Sequence, residues 1–423
     1  MIEEVKKRID QIRHGIVPEE YKKGKLGIVP REWDEIPFST LFTSTSDYTD
    51  NLQKYPLYSL TIEDGITVKT ERYERSHLVK KDNSYKVVRP NDYAYNPMNI
   101  RFGAVARHKG DIPVAVSGYY DIFTTVHKSD LAFMDSFLTC DPMITYYNKV
   151  STGSLIEKQR VHFSDFLEFS LALPPLEERK KIAEILTTQD KVIELKEKLL
   201  AEKQRQKKYL MQQLLTGKKR LPGFDGEWQN CRLHQIVKHI RRKNTVGNEN
   251  VLTISAQYGL INQSEFFNKE IASEDKSNYY LLNRNDFAYN KSYSSGYPFG
   301  AIKRLTRYDI GIVSPLYICF EIVGENVSLE YMEQYFEAGL MNREIQAFAQ
   351  EGARNHGLLN IAVDDFFNSK LVLPSIEEQQ AIVAILTAAD RESELLRQDL
   401  EQEKQKKKAL MQLLLTGIVR VNA

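Results

Sequence analysis

The residue types that perform covalent chemistry are present in this chain, but not at spacings that use them. The three cysteines, Cys140, Cys231 and Cys319, are far apart and odd in number. They form neither a zinc set nor a disulfide framework, which fits a reducing cytoplasm. No two of the eight histidines stand four residues apart. There is no phosphate-cradling GxxxxGK[ST], no GxGxxG after a strand and no GxSxG nucleophile turn. Asn96-Pro97-Met98 and Asp141-Pro142-Met143 begin like a motif that grips an exocyclic amine for methyl transfer. The second proline and the aromatic are missing, and the matching stretch later in the chain reads Asn290-Lys291. A strand-end turn is the simpler account. What remains are polar groups suited to binding, such as Arg354, Asn355 and His356 in a loop flanked by Gly352 and Gly357.

The elements that would carry such groups are organised around a duplication. Leu171-Ala-Leu-Pro174-Pro175-Leu-Glu177-Glu178 recurs 200 residues later as Leu371-Val-Leu-Pro374-Ser-Ile-Glu377-Glu378. Leu210-Met-Gln-Gln-Leu-Leu-Thr-Gly217 recurs at the same offset as Leu410-Met-Gln-Leu-Leu-Leu-Thr-Gly417, and close to half of the aligned positions are identical. Each copy predicts one long helix. A proline breaks the preceding strand, paired glutamates suit the positive N-terminal end of the helix dipole, and a glycine sits where a left-handed C-cap belongs. Each would be about 60 Å long. Leu186, Ile193, Leu200 and Leu214 form an apolar seam, as do Leu386, Leu400 and Leu414, with Ser393 interrupting. Such a seam needs a partner, and the other copy is the obvious one. The middle sections, Glu197–Lys208 and Gln398–Lys408, are mostly charged and are expected to be solvated.

A chain of 423 residues implies two or more domains. The net charge of +1 argues against a uniform basic sleeve on nucleic acid, though not against local patches. No apolar run approaches a membrane span, and the N-terminus lacks the pattern of a signal peptide. The chain opens on a short amphipathic helix, Ile2 to Ile12, followed by Gly15-Ile16-Val17, which matches Gly417-Ile418-Val419 near the other end. This predicts a circular arrangement with the termini close together. Two β-rich segments, Trp33–Leu173 and Trp228–Leu373, each open on one of the two tryptophans, which read as packing anchors. Their matched pieces include Asn91-Asp-Tyr-Ala-Tyr-Asn96 with Asn285-Asp-Phe-Ala-Tyr-Asn290, and Phe102-Gly-Ala-Val105 with Phe299-Gly-Ala-Ile302. Asn-Asp is a turn signal, and the alternation after it predicts a half-buried strand. The intervals between matched pieces differ, so a shared scaffold carries varied loops.

Two variable modules alternating with two near-identical helices, each framed by Pro-x-x-Glu-Glu and Leu-Met-Gln-x-Leu-Leu-Thr-Gly, resemble the specificity subunit of a type I restriction-modification enzyme. The resemblance covers almost the whole chain. It departs from the expected pattern at Ser375 and Arg179. It implies an α+β fold: two globular mixed α/β target-recognition domains separated by two long helices that form an antiparallel coiled coil with internal pseudo-twofold symmetry. The implied division is 1–20 for the helix completing the circular repeat, 21–173 and 218–373 for the recognition domains, and 174–217 and 374–423 for the helices. It implies a non-catalytic, cytoplasmic subunit that reads a bipartite double-stranded DNA target, with the helices fixing the gap. The implied partners are two methyltransferase subunits and restriction-translocation subunits, and AdoMet, Mg²⁺ and ATP would be used by those partners.

Base reading needs Arg, Lys, Asn or Gln at loop tips that enter the major groove. Under this resemblance the candidates in the first module are Arg101, Arg107, His108 and Lys109, with Lys158, Gln159 and Arg160 near its end. In the second they are Lys291, Ser292, Tyr293, Lys303, Arg304, Arg354, Asn355 and His356, with Arg241, Arg242 and Lys243 also clustered. Lys207, Lys208, Lys407 and Lys408 suit a solvated face or a partner surface better. Without the resemblance, a coiled-coil adaptor lacking DNA specificity would account for the helices, and an enzyme with an unrecognised site would be the third reading.

Overall fold

The computed structural model describes residues 2–68, 84–155, 158–255, 258–267, 275–294, 296–351 and 359–421. The chain divides into two compact units: Met1–Glu197 with Gln398–Ala423, and Lys198–Arg397. The boundaries fall inside the two long helices, Leu176–Leu214 and Ile376–Leu415. Each unit therefore owns the first half of one helix and the second half of the other.

The first unit is built on a four-stranded antiparallel sheet in the order Val105–Arg107, Tyr93–Tyr95, Asp121–Thr125, Phe42–Thr45. The second unit has its own four-stranded sheet, Ala301–Arg304, Phe287–Asn290, Ile318–Ile322, Val237–His239. The strand order is the same. So is the register, with Tyr93 opposite Arg107 in one unit and Phe287 opposite Arg304 in the other. Asn91 and Asn285 take positive φ, 74° and 76°, at the turn that launches the second strand. Asparagine tolerates that region better than most residues. The next residue completes each turn: the Asp92 carboxylate accepts from the Arg89 amide and the Asp286 carboxylate from the Asn283 amide.

That strand differs from its half-buried expectation. Tyr93, Ala94 and Tyr95 are all buried, as are Phe287, Ala288 and Tyr289. The two aromatics of each strand enter the main core of its unit, while Ala94 and Ala288 face a second, smaller core on the other side of the sheet. Covering both faces removes the polar alternation that a one-sided strand would show.

The long helices join these cores at their ends. In the first unit Ile182 and Leu186 pack with Leu414 and Leu415, and in the second Ile382 and Leu386 pack with Leu214 and Leu215. Within each unit the two half-helices run antiparallel: Lys196 meets Asp399 and Glu403 in one, and Lys203 meets Glu392 in the other. The apolar seam is thinner between the ends, where Ile193, Leu200 and Leu400 are only half-buried. There the expectation of a simply solvated middle is corrected. Charged side chains bridge the helices instead, including Asp190–Lys407, Glu197–Lys404 and Lys207–Asp390. Long lysine stems can lie over a narrow seam while their ammonium groups reach a carboxylate on the neighbouring helix.

One clamp is made twice. Glu178, in the first turn of its helix and 2% exposed, accepts a bidentate pair from Arg420 at 2.7 and 2.9 Å and the Trp33 indole N–H at 3.3 Å. Glu378, equally buried, accepts a bidentate pair from Arg220 at 2.7 and 2.8 Å and the Trp228 indole N–H at 3.1 Å. Gly217 and Gly417 cap the helices at φ 67° and 72°. A Cβ at Gly417 would stand 2.5 Å from Pro30 and 2.8 Å from Trp33, so only glycine fits there. In the second unit the arginine and the tryptophan of the clamp, Arg220 and Trp228, are close in sequence; in the first, Arg420 and Trp33 come from opposite ends of the chain. The Tyr21 hydroxyl donates to the Gly417 carbonyl at 2.8 Å, and Arg8 of the N-terminal helix donates to the Ile418 carbonyl at 3.2 Å.

Candidate nucleic-acid interface

The basic residues singled out from the sequence separate into two groups. Four of them are held inside the modules. Arg101 is 7% exposed, lies over the Phe102 ring and donates to Gln159. Arg107 forms a bidentate pair with Asp135, at 2.9 Å from Nε and 2.7 Å from the terminal nitrogen, and donates to Asn91. Lys303 reaches Glu337 at 2.5 Å and the Tyr297 hydroxyl at 3.2 Å. Arg304 pairs with Glu330 at 2.7 Å and Glu333 at 2.8 Å, with its side chain 10% exposed.

The structure places these four in internal pairs rather than at open loop tips, and the reason is the register. Arg107 and Arg304 occupy the same position on equivalent strands, opposite Tyr93 and Phe287. From there each guanidinium reaches a carboxylate on the helix that follows the sheet, Leu131–Phe137 or Leu329–Glu337. Burial pushes the Glu333 carboxyl up, and Arg304 pulls against that shift. Tyr93 completes the first network by donating to Asp135 at 2.8 Å, and burial pushes its own phenol up. Asp135, Glu330, Glu333 and Glu337 escaped the sequence reading, because spacing along the chain does not show which carboxylate lies opposite a strand, and Asn91 entered it only as a turn residue.

The second group faces outward. The Lys109 side chain is 68% exposed, touching Asp135 at 3.3 Å. It stands at the edge of a cleft of about 550 Å³ that is also lined by Tyr58, Asp64, His108, Asp111 and Thr139. His108 is buried and braces the loop by a 2.7 Å contact with the Ile112 carbonyl. Lys158 and Arg160 are exposed, next to half-buried Gln159. In the second unit Tyr293 is 64% exposed, while Lys291 and Ser292 are half-buried. Arg241 is exposed; Arg242 pairs with Asp286, and Lys243 lies 4.5 Å over the Tyr280 ring. Arg354, Asn355 and His356 lie outside the described residues.

Among the described residues no group of His, Cys, Asp and Glu is arranged to hold a metal ion, and no helix is long and apolar enough to cross a membrane. Burial pushes the Cys140 thiol up to about 12, which suits packing rather than reactivity.

Comparison with known proteins agrees with this arrangement. Residues 103–204 match the family described as type I restriction modification DNA specificity domain. The specificity subunit of type I restriction enzyme MjaVIII from Methanocaldococcus jannaschii is 26% identical over 289 residues, covering 60% of this chain and 63% of that protein. The putative MjaX specificity subunit from the same organism is 25% identical over 283 residues, covering 63% of each. The match thus spans less than two thirds of either relative. A solved structure described under "Structural basis underlying complex assembly and conformational transition of the type I R-M system" aligns with 92% of this chain and 99% of its own, at a TM-score of 0.54 and 15% identity, a likeness of fold. Residues 103–204 therefore match the type I restriction modification DNA specificity domain family, and over 60–63% of its length the chain is similar to type I restriction specificity subunits.

Proposed function

We propose that this chain is the non-catalytic DNA-recognition subunit of a type I restriction-modification complex, each module reading one half of a bipartite duplex target. The observation that carries this reading is the family match over residues 103–204, which runs from the sheet of the first module into the first long helix. The duplicated sheet and the duplicated clamp extend it to the second module. The helices would set the gap between half-sites, as fixed spacing does in dimeric readers. Two methyltransferase subunits would modify adenine, and restriction subunits would translocate and cut, in the cytoplasm. AdoMet, Mg²⁺ and ATP would then be bound by those partners. Lys109, Lys158, Arg160 and Tyr293 are the exposed candidates for DNA contact, with half-buried Lys291, and Arg354, Asn355 and His356 are candidates from the sequence alone.

The test is a gel-shift assay of the chain assembled with its cognate methyltransferase subunits against a pool of duplexes. Enrichment of a split, asymmetric motif is expected, and absence of any sequence preference would defeat the proposal. Exchanging Trp33–Leu173 for the same segment of another specificity subunit should change one half of the motif and leave the other intact. A change in both halves would count against independent modules.

A further inference from the structure

The interhelix ion pairs are of two kinds. Asp190–Lys407 in the first unit and Lys207–Asp390 in the second, both 2.5 Å, join residues that the duplication leaves unchanged: Asp190 matches Asp390, and Lys207 matches Lys407. Such a pair would form equally well between two copies of the same helix. The others join residues that the duplication has changed. Lys196–Glu403 (3.0 Å) and Glu197–Lys404 (2.7 Å) belong to the first unit, and Lys203–Glu392 (2.7 Å) to the second. Glu403 stands where the first helix has Lys203, and Glu197 where the second has Arg397.

Pairing like with like in the same antiparallel register turns each of these attractions into a repulsion or removes one of its charges. Two first long helices from separate chains would set Lys196 against Lys203, once on each side of the dyad. Two second long helices would set Glu392 against Glu403 and Arg397 against Lys404, again twice each. We infer that these charges select the sister helix of the same chain as partner and reject the identical helix of a second copy. The unchanged pairs set the register, and the changed ones choose the partner.

The full-length chain tests this through the exchange Lys203→Glu with Glu392→Lys. That exchange keeps the native contact with its sign reversed internally, but turns one repulsive contact of each like pair attractive: Lys196 would meet a glutamate, and Glu403 a lysine, while Arg397 against Lys404 is unchanged. A like-helix pair is reported by Leu199→Cys, an exposed position midway between Asp190 and Lys207, where the dyad of two first long helices would fall. Both chains carrying Leu199→Cys are unfolded in urea, refolded at high concentration and oxidised. The dimer that depends on Leu199→Cys is then quantified. Several-fold more of it is expected from the charge-exchanged chain. Salt at 1 M, where the screening length is about 3 Å, should raise the yield from the chain with native charges and lower it from the exchanged one. If the exchanged chain does not refold, the rise with salt in the native-charge chain alone supports the inference. Equal yields from the two chains, or no rise with salt in the native-charge chain, would overturn it.

Discussion

At the residue scale, exposure and partners separate structural cations from those free to meet a ligand. Arg304 pins a strand to the helix carrying Glu330 and Glu333, as Arg107 pins its strand through Asp135. Replacing Arg304 with alanine is expected to cost about 1–2 kcal/mol of stability, the range for a charge-assisted hydrogen bond offset by the partial exposure of its partners. It should leave the salt dependence of DNA binding unchanged, since that slope counts phosphate contacts. Lys109→Ala should do the opposite, lowering the slope with little change in stability. Urea unfolding and titrations at several salt concentrations check both. Arg and Lys types were legible as a basic set in the sequence. Which members of the set are spent internally depends on carboxylates such as Asp135, Glu330 and Glu337 that only the sheet register brings within reach.

At the element scale, the long helices are held by apolar ends and a charged middle. Their starts, caps and ends were legible because proline, paired glutamates and glycine each have a local conformational cause. The bridging role of the middle was not, because a charged run reads the same whether it is solvated or paired. One of these bridges is expected to be unusually acid-resistant. The Gln189 amide and the Lys196 ammonium hold the Glu403 carboxyl down to about 2. A glutamate in the unfolded chain titrates near ~4.3, so the folded group is the stronger acid. Its contribution to stability is fully present above about pH 4.3 and is lost as pH falls towards about 2. Glu403→Gln should flatten the stability profile over that window alone. Carboxyl NMR titration of Glu403 and acid unfolding of the two proteins check the expectation.

At the scale of the whole molecule, the chain closes on itself. Arg420 does for the first unit what Arg220 does for the second, although 242 residues separate it from Glu178 and only 158 separate Arg220 from Glu378. Removing Arg220 takes the cation from the nearly buried Glu378 carboxylate and leaves it the Trp228 indole, and removing Arg420 leaves Glu178 with the Trp33 indole and the Val421 amide. Removing one partner of an ion pair leaves the other charge uncompensated, so Arg420→Ala should lower the unfolding transition of the first unit and Arg220→Ala that of the second. Calorimetry should resolve which unit melts first in each. The sequence by itself determined the duplication, the two long helices, their polarity and the tryptophans that open each module, because these depend on periodicity and on residues with a fixed local conformation. The tertiary structure alone decided which carboxylate each arginine meets, which strand face is buried, and that the shared Gly-x-x-Arg ends of the two helices make the same clamp. Those are contacts between segments distant in the chain, and only folding brings such segments to within hydrogen-bonding distance.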